Sequence, residues 1–368
     1  MRVLIAPDKF AGTLSAVEAA EAIAAGWRRH APDDELDLVP MADGGPGFVD
    51  VLHASLGGEL LAVTVTGPYG EPVPGSVLLE GTTAYVESAQ ACGLHLTPEA
   101  QRRPEDATTY GVGELVRHAV EAGASRVVVG LGGSATNDGG AGLLAALGAT
   151  SRQPEALTRG AAGLADLAEG ESLDLTVARA VTAGVELVAA SDVDNPLLGL
   201  IGAINVFGPQ KGVPADRLQA VDALLGRLAE ATERRTALAK GAGAAGGLGF
   251  ALLLLGAGRT PGVEVVSAAV GLPERARRAD LVVTGEGAFD FSSRSGKVPY
   301  GVATVAAEAL QPCIALAGKV LVGSREMRAL GVESAYAVVD LVGEEASFAD
   351  PAGSLAALAE RTARSWSR

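Results

Sequence analysis

Lysine, cysteine, histidine and the aromatics are all scarce in this chain of 368 residues, and each shortage excludes something. Aromatics are only 4% of the residues, so the cores must be built from Ala, Val and Leu. The two cysteines, Cys92 and Cys313, lie far apart without metal-type spacing and read as small buried hydrophobes in a reducing compartment. His30, His53, His95 and His118 show neither metal spacing nor strand-end placement, so a structural role is expected for all four. Positive charge is short as well. A formal net charge of −15 repels phosphate backbones and argues against a nucleic-acid partner. Long apolar runs are missing: residues 248–257 are the longest, about half of the ~20 needed to span a membrane. The four apolar residues at 3–6 are too few for a signal segment, so a cytoplasmic protein without a membrane partner is expected.

What is plentiful is glycine, 49 residues without a collagen-like period, alongside 48% hydrophobic residues. Glycine in that amount suits many tight loops that bring backbone close to a ligand. The first forty residues read as β-α-β: an apolar strand at 3–6, then Ser15-Ala16-Val17-Glu18 in capping-box form, then a helix with Val17, Ala20, Ala24 and Trp27 on one stripe, and a strand from Leu36. Runs at 60–66, 73–79 and 84–87, separated by Gly-rich turns, predict an antiparallel meander. From Tyr110 onward helices and strands alternate, with a long helical region at 215–257, and the tail repeats that rhythm. The economical architecture is α/β: a Rossmann-like three-layer domain from both chain ends (1–60 plus 285–368) with a second, mixed α/β domain (61–284) inserted. The cleft between such domains is the default place for a small-molecule site.

Three features carry chemistry. Only five of the 29 basic residues are lysine, and four of those five lie in Gly- or Pro-marked loops: PDKFAG, GPQKG, SGKVP and AGKV. A compact ammonium serves as a point charge on phosphate or carboxylate where a guanidinium would not fit, which favours Lys9 and Lys297 as substrate contacts. The second feature is the run Gly130-Leu131-Gly132-Gly133-Ser134-Ala135-Thr136-Asn137-Asp138-Gly139-Gly140, between an apolar strand and an apolar helix. Its backbone N–H groups could cradle an anion. No Gly-Lys-Ser/Thr closes it, so it is not a P-loop, and a tight structural turn is the competing reading. As G-x-G-x-x-A it half-matches a dinucleotide fingerprint, without a clear acidic partner downstream. Third, Asp8, Asp43, Asp138, Asp192, Asp194, Glu286 and Asp290 all fall at expected carboxyl ends of strands, the ligand edge of an open α/β sheet.

The segments IAPDKFAGTLSA, VPMADGGPGFVD, GLGGSATNDGGAGLLAALGA, SDVDNPLLG, VFGPQKG and VVTGEGAFDFSSRSGKVPYGVA, taken in order, resemble the signature stretches of class I glycerate kinases nearly end to end. Ala11, Pro46, Phe48, Ser191, Phe289 and Phe291 depart from the usual pattern. The resemblance implies ATP-dependent phosphorylation of (R)-glycerate, usually to 2-phosphoglycerate, with Mg²⁺. Under it, Lys9, Asp8 and Arg294 are expected to hold glycerate, and Asp192 or Asp43 to take the C2 hydroxyl proton. Asp290, with Asp192, would bind Mg²⁺, and Gly132, Gly133, Ser134, Asn137, Asp138 and Lys297 the nucleotide phosphates. Its partners are then glycerate and ATP, with a homodimer left open. The rival readings are an NAD(P)-dependent hydroxy-acid dehydrogenase and a non-catalytic metabolite-binding relative.

Overall fold

Val3, Leu4 and Ile5 enter the inner strand of a parallel sheet and are almost fully buried, as an uninterrupted apolar run requires when both faces are covered. Each such side chain contributes about 1.5–3 kcal/mol on burial. The computed structural model describes residues 1–10, 12–290 and 297–367. Its strands are β1 (Arg2–Ile5), β2 (Glu35–Leu38), β3 (Glu59–Thr66), β4 (Pro72–Glu80), β5 (Thr83–Glu87), β6 (Arg126–Gly130), β7 (Glu186–Ala190), β8 (Gly258–Thr260), β9 (Leu281–Phe289), β10 (Cys313–Val320) and β11 (Ser334–Ala337).

The chain divides into two units: Met1–Asp43, Asp50–Gly57 and Gly262–Arg368 form the first, and Gly44–Val49 with Gly58–Pro261 the second. The first unit holds a parallel sheet in the order β11-β10-β9-β1-β2. From β1 the chain moves to β2 on one side, and from β9 to β10 and β11 on the other, so β1 and β9 flank a topological switch point. The helix Ala16–His30 begins with the expected box: Glu18 N–H donates to Ser15 Oγ and Ser15 N–H to Glu18 Oε2. Its face with Ala20, Ile23, Ala24 and Trp27 is buried, while Val17, expected on that stripe, is half-buried.

The second unit holds six strands in the order β3-β4-β5-β6-β7-β8, antiparallel through β5 and parallel beyond it. The meander falls within a residue of its expected bounds. The second crossing between units lies at 261/262, because the helices Gly262–Ala269 and Leu272–Arg278 belong with β9, which pairs with β1. One expectation needs correction. The helical region at 215–257 is broken. The helix Leu218–Ala231 ends, and Ala245, Gly246 and Gly247 take positive φ before the helix Leu248–Leu254. Among the described residues no helix is long and apolar enough to cross a membrane.

Candidate active site

In the first unit the ladder continues past the end of β1 and carries the following loop with it. Ala6 N–H donates to Val283 O and Asp8 N–H to Gly285 O, while Met41 N–H donates to Pro7 O. These bonds place the segment after β1 between β9 and the segment after β2, and side chains from all three meet there. Lys9 Nζ lies 3.8 Å from Asp8 Oδ1 and 3.6 Å from Asp43 Oδ1. Lys297, at the start of the helix Val298–Glu308, has its Nζ 3.7 Å from Glu286 Oε2 and 3.9 Å from Asp290 Oδ1. The structure thus gathers Asp8, Lys9, Asp43, Asp290 and Lys297 in this unit and adds Glu286, a strand-end acid with no role in the expected set.

Burial sorts these carboxylates. Asp8 and Glu286 are buried, each 6% exposed, whereas Asp43 and Asp290 keep about a third of their side chains in solvent. Burial pushes the Asp8 carboxyl up to about 7; nearby Asp43 and Glu286 add to that, and Lys9 and its own N–H oppose it. A strand-end carboxyl raised toward neutrality by burial is of the kind that functional sites collect. The part-exposed pairs of Asp43 and Asp290, at 3.6 and 3.9 Å, contribute at most about 1 kcal/mol each, so the stability of the sheet does not account for placing these two acids here.

The glycine-rich loop of the second unit is built differently. Asp138, fully buried, accepts from Thr109 N–H, Thr109 Oγ1–H, Gly140 N–H and Gly142 N–H, so its carboxylate is committed to shaping the loop. Burial nonetheless raises its pKa, against the pull of those donors. Asn137 is buried and donates to Pro104 O, and Ser134 is buried and accepts from Lys211 Nζ at 3.1 Å. Only Gly132 and Gly133 reach the surface of the loop, and packing explains both glycines. A Cβ on Gly132 would come within 2.6 Å of Gly45 Cα, and one on Gly133, at φ +65°, within 2.8 Å of Pro46 Cγ. What the loop offers outward is therefore backbone.

Lys211 is the residue missed by sequence reasoning. It is 3% exposed, and besides Ser134 it donates to Thr136 O at 2.6 Å, tying the glycine-rich loop to the segment Pro209–Lys211. No carboxylate among the described residues lies within 4.0 Å of it, and burial pushes its ammonium down to about 8. Its place in a Gly-Pro-Gln-Lys-Gly string was the available signal. Asp192 is half-buried in the loop after β7, where Val193 N–H donates to Ser191 Oγ. Asp194 pairs at the surface with Lys240 and Arg259. Arg294 lies outside the described residues. Cys92 and Cys313 are buried thiols, each pushed up to about 12 by burial.

The profile of the Glycerate kinase family matches residues 3–367. This chain belongs to the glycerate kinase family. The Bacillus subtilis (strain 168) glycerate kinase is 42% identical over 92% of this chain and 90% of its own length. The Escherichia coli K12 glycerate 2-kinase is 39% identical over 93% and 92%. The crystal structure of the Salmonella typhimurium LT2 protein assigned as glycerate kinase 2 superposes with a TM-score of 0.83 at 38% identity, covering 99% of this chain and 98% of that one. Membership in this family of phosphotransferases removes the dehydrogenase reading of the G-x-G-x-x-A string, whose outward glycines pack against the loop at 45–46.

Proposed function

We propose that this chain transfers the γ-phosphate of ATP to a hydroxyl of glycerate, the C2 hydroxyl of the (R) form in the favoured case. The observation that carries the reading is the grouping of two lysines and four carboxylates at the switch point of the first unit, in a chain of this family. Phosphoryl transfer asks for cations on oxygens that gain charge and a carboxylate to take the hydroxyl proton, and little covalent work beyond that. Lys9 holds the glycerate carboxylate, with Asp8 fixing Lys9, and Arg294 is assigned to the same anion. Lys297 meets the transferring phosphate. The outward backbone at Gly132 and Gly133, held in shape by Ser134, Asn137 and Asp138, offers N–H groups to a further phosphate. Asp43 and Asp192 are the two candidates for proton acceptor.

Mg²⁺ supplies charge neutralisation on the phosphates when bound. It takes only one or two carboxylates and completes its shell with water and phosphate oxygens. A part-exposed carboxylate such as Asp290 fits that demand, and Asp192 is the second candidate. A cytoplasmic protein working as a monomer or homodimer is in keeping with this reading.

The test is ADP release with Mg-ATP and glycerate, with product regiochemistry resolved by phosphorus NMR. Turnover dependent on both glycerate and Mg²⁺, giving the 2-phosphate, is the expected result. Phosphorylation of a pentose or hexose while glycerate fails at millimolar concentration would overturn the substrate assignment, and no ATP turnover at all would leave a metabolite-binding relative. Asp43→Asn and Asp192→Asn then separate the proton acceptors: the true one loses on the order of 100-fold in kcat or more.

A further inference from the structure

The first unit contains a cavity of about 260 Å³ beside the carboxyl ends of β9 and β10 that none of the roles above uses. Phe10, Leu14, Val338, Phe348 and Leu355 wall it, together with Gly287, Ala288 and Gly318. The chain has only seven phenylalanines, and two of them face this slot. Phe348 does so while keeping 61% of its surface exposed. Polar groups stand among these walls: Lys319 and Ser347, both tied to Glu344.

These walls choose a class of ligand. A small hydroxy acid would lose hydration against the apolar walls and find Lys319 and Ser347 already engaged with Glu344. A flat, neutral aromatic ring loses little and gains a stacking surface from phenylalanine. The volume falls below the ~300–1,000 Å³ that holds drug-sized ligands, so it suits a bicyclic base rather than a whole nucleotide. Position agrees with chemistry. Ala288 at the slot follows Glu286 by two residues, roughly 7 Å along β9, and Glu286 and Asp290 are the partners of Lys297. Phe10 comes from the same loop as Asp8 and Lys9. A base seated here has its phosphate chain leading along the strand ends toward the lysine already assigned to phosphate.

We propose that the slot beside β9 and β10 receives the adenine ring of ATP. This rests on the phosphoryl-transfer reading and names the nucleotide end of that site. Two variants test it. Ala288→Trp fills the slot from an exposed position, and Phe348→Ala removes an exposed stacking face, so one remains readable if the other fails to fold. The KM for ATP should rise about 5- to 100-fold in each, with the KM for glycerate unchanged. Calorimetry should show weakened ADP binding and unaltered binding of inorganic tripolyphosphate, which carries no base. If wild-type protein turns over ATP but the KM for ATP is the same in the folded variants, the slot assignment is wrong while the kinase reading stands. If wild-type protein neither turns over ATP nor binds ADP, both fall together.

Discussion

Both units of this protein set lysines and aspartates in loops between their strands and helices, and the two units use them in opposite ways. In the first, Lys9 and Lys297 face Asp8, Asp43, Glu286 and Asp290 across 3.6–3.9 Å, partly open to solvent. In the second, Asp138 is sealed under four donors and Lys211 is sealed against a hydroxyl and a carbonyl. One set is loosely paired and reaches solvent; the other is spent on the shape of a loop. The residue types are the same in both and all sit in loops, so neither tells chemistry from architecture. What separates them is where the remaining hydrogen bonds go.

The comparison is sharpened most by Asp8. Its carboxyl, raised to about 7 from an ordinary value of 3.8, binds a proton more tightly folded than unfolded. Its contribution is therefore favourable below pH 4 and is lost as pH rises through 7, a swing on the order of 4 kcal/mol. Asp8→Asn should raise stability at pH 8 by a large part of that amount and do little at pH 4, while kcat/KM falls. Denaturant unfolding at the two pH values checks it. A variant less stable at pH 8 would mean that the cluster supports the fold instead of taxing it.

Asp138→Ala should act in the reverse direction. Four buried donors lose their acceptor, and the expected cost is at least about 3 kcal/mol of unfolding free energy. Equal stability with lost activity would instead move Asp138 into the chemistry. The smallest effect is expected from Lys297→Ala: about 2–3 kcal/mol in kcat/KM as a phosphate contact disappears, with unliganded thermal stability nearly unchanged. Lys297→Arg should recover only part of the loss. Wild-type kinetics in Lys297→Ala would reduce this lysine to a solvated helix-start residue.

Much of this was readable in advance where the deciding interactions are local. The capping box at Ser15 and Glu18 spans three residues, and the meander declares itself by alternation and turns, so both were legible. PDKFAG and SGKVP marked Lys9 and Lys297 because loop glycine and proline are local signals. The pairing of Lys9 with Asp43 depends on how β1 and β2 lie side by side, which no short window contains. Lys211 looked like another loop lysine because burial is a property of the packed unit. The hydrogen bonding of Asp138 was hidden because its partner Thr109 sits in a distant segment. The border at 261/262 is set by the pairing of β9 with β1, which no local window contains.

That last pairing reaches beyond the finished molecule. β1 lies between β2 and β9, and some 240 residues separate the end of β2 from the start of β9. At ~5–20 residues per second, a ribosome needs roughly 12 to 50 s to bridge them. Throughout that interval the newborn N-terminus carries an apolar strand with one open edge, a template for pairing with any neighbouring chain. Nearly all of the second unit, at 58–261, emerges meanwhile as one continuous stretch. Chains halted before residue 281 therefore share a hazard that pairing of β1 with β9 removes.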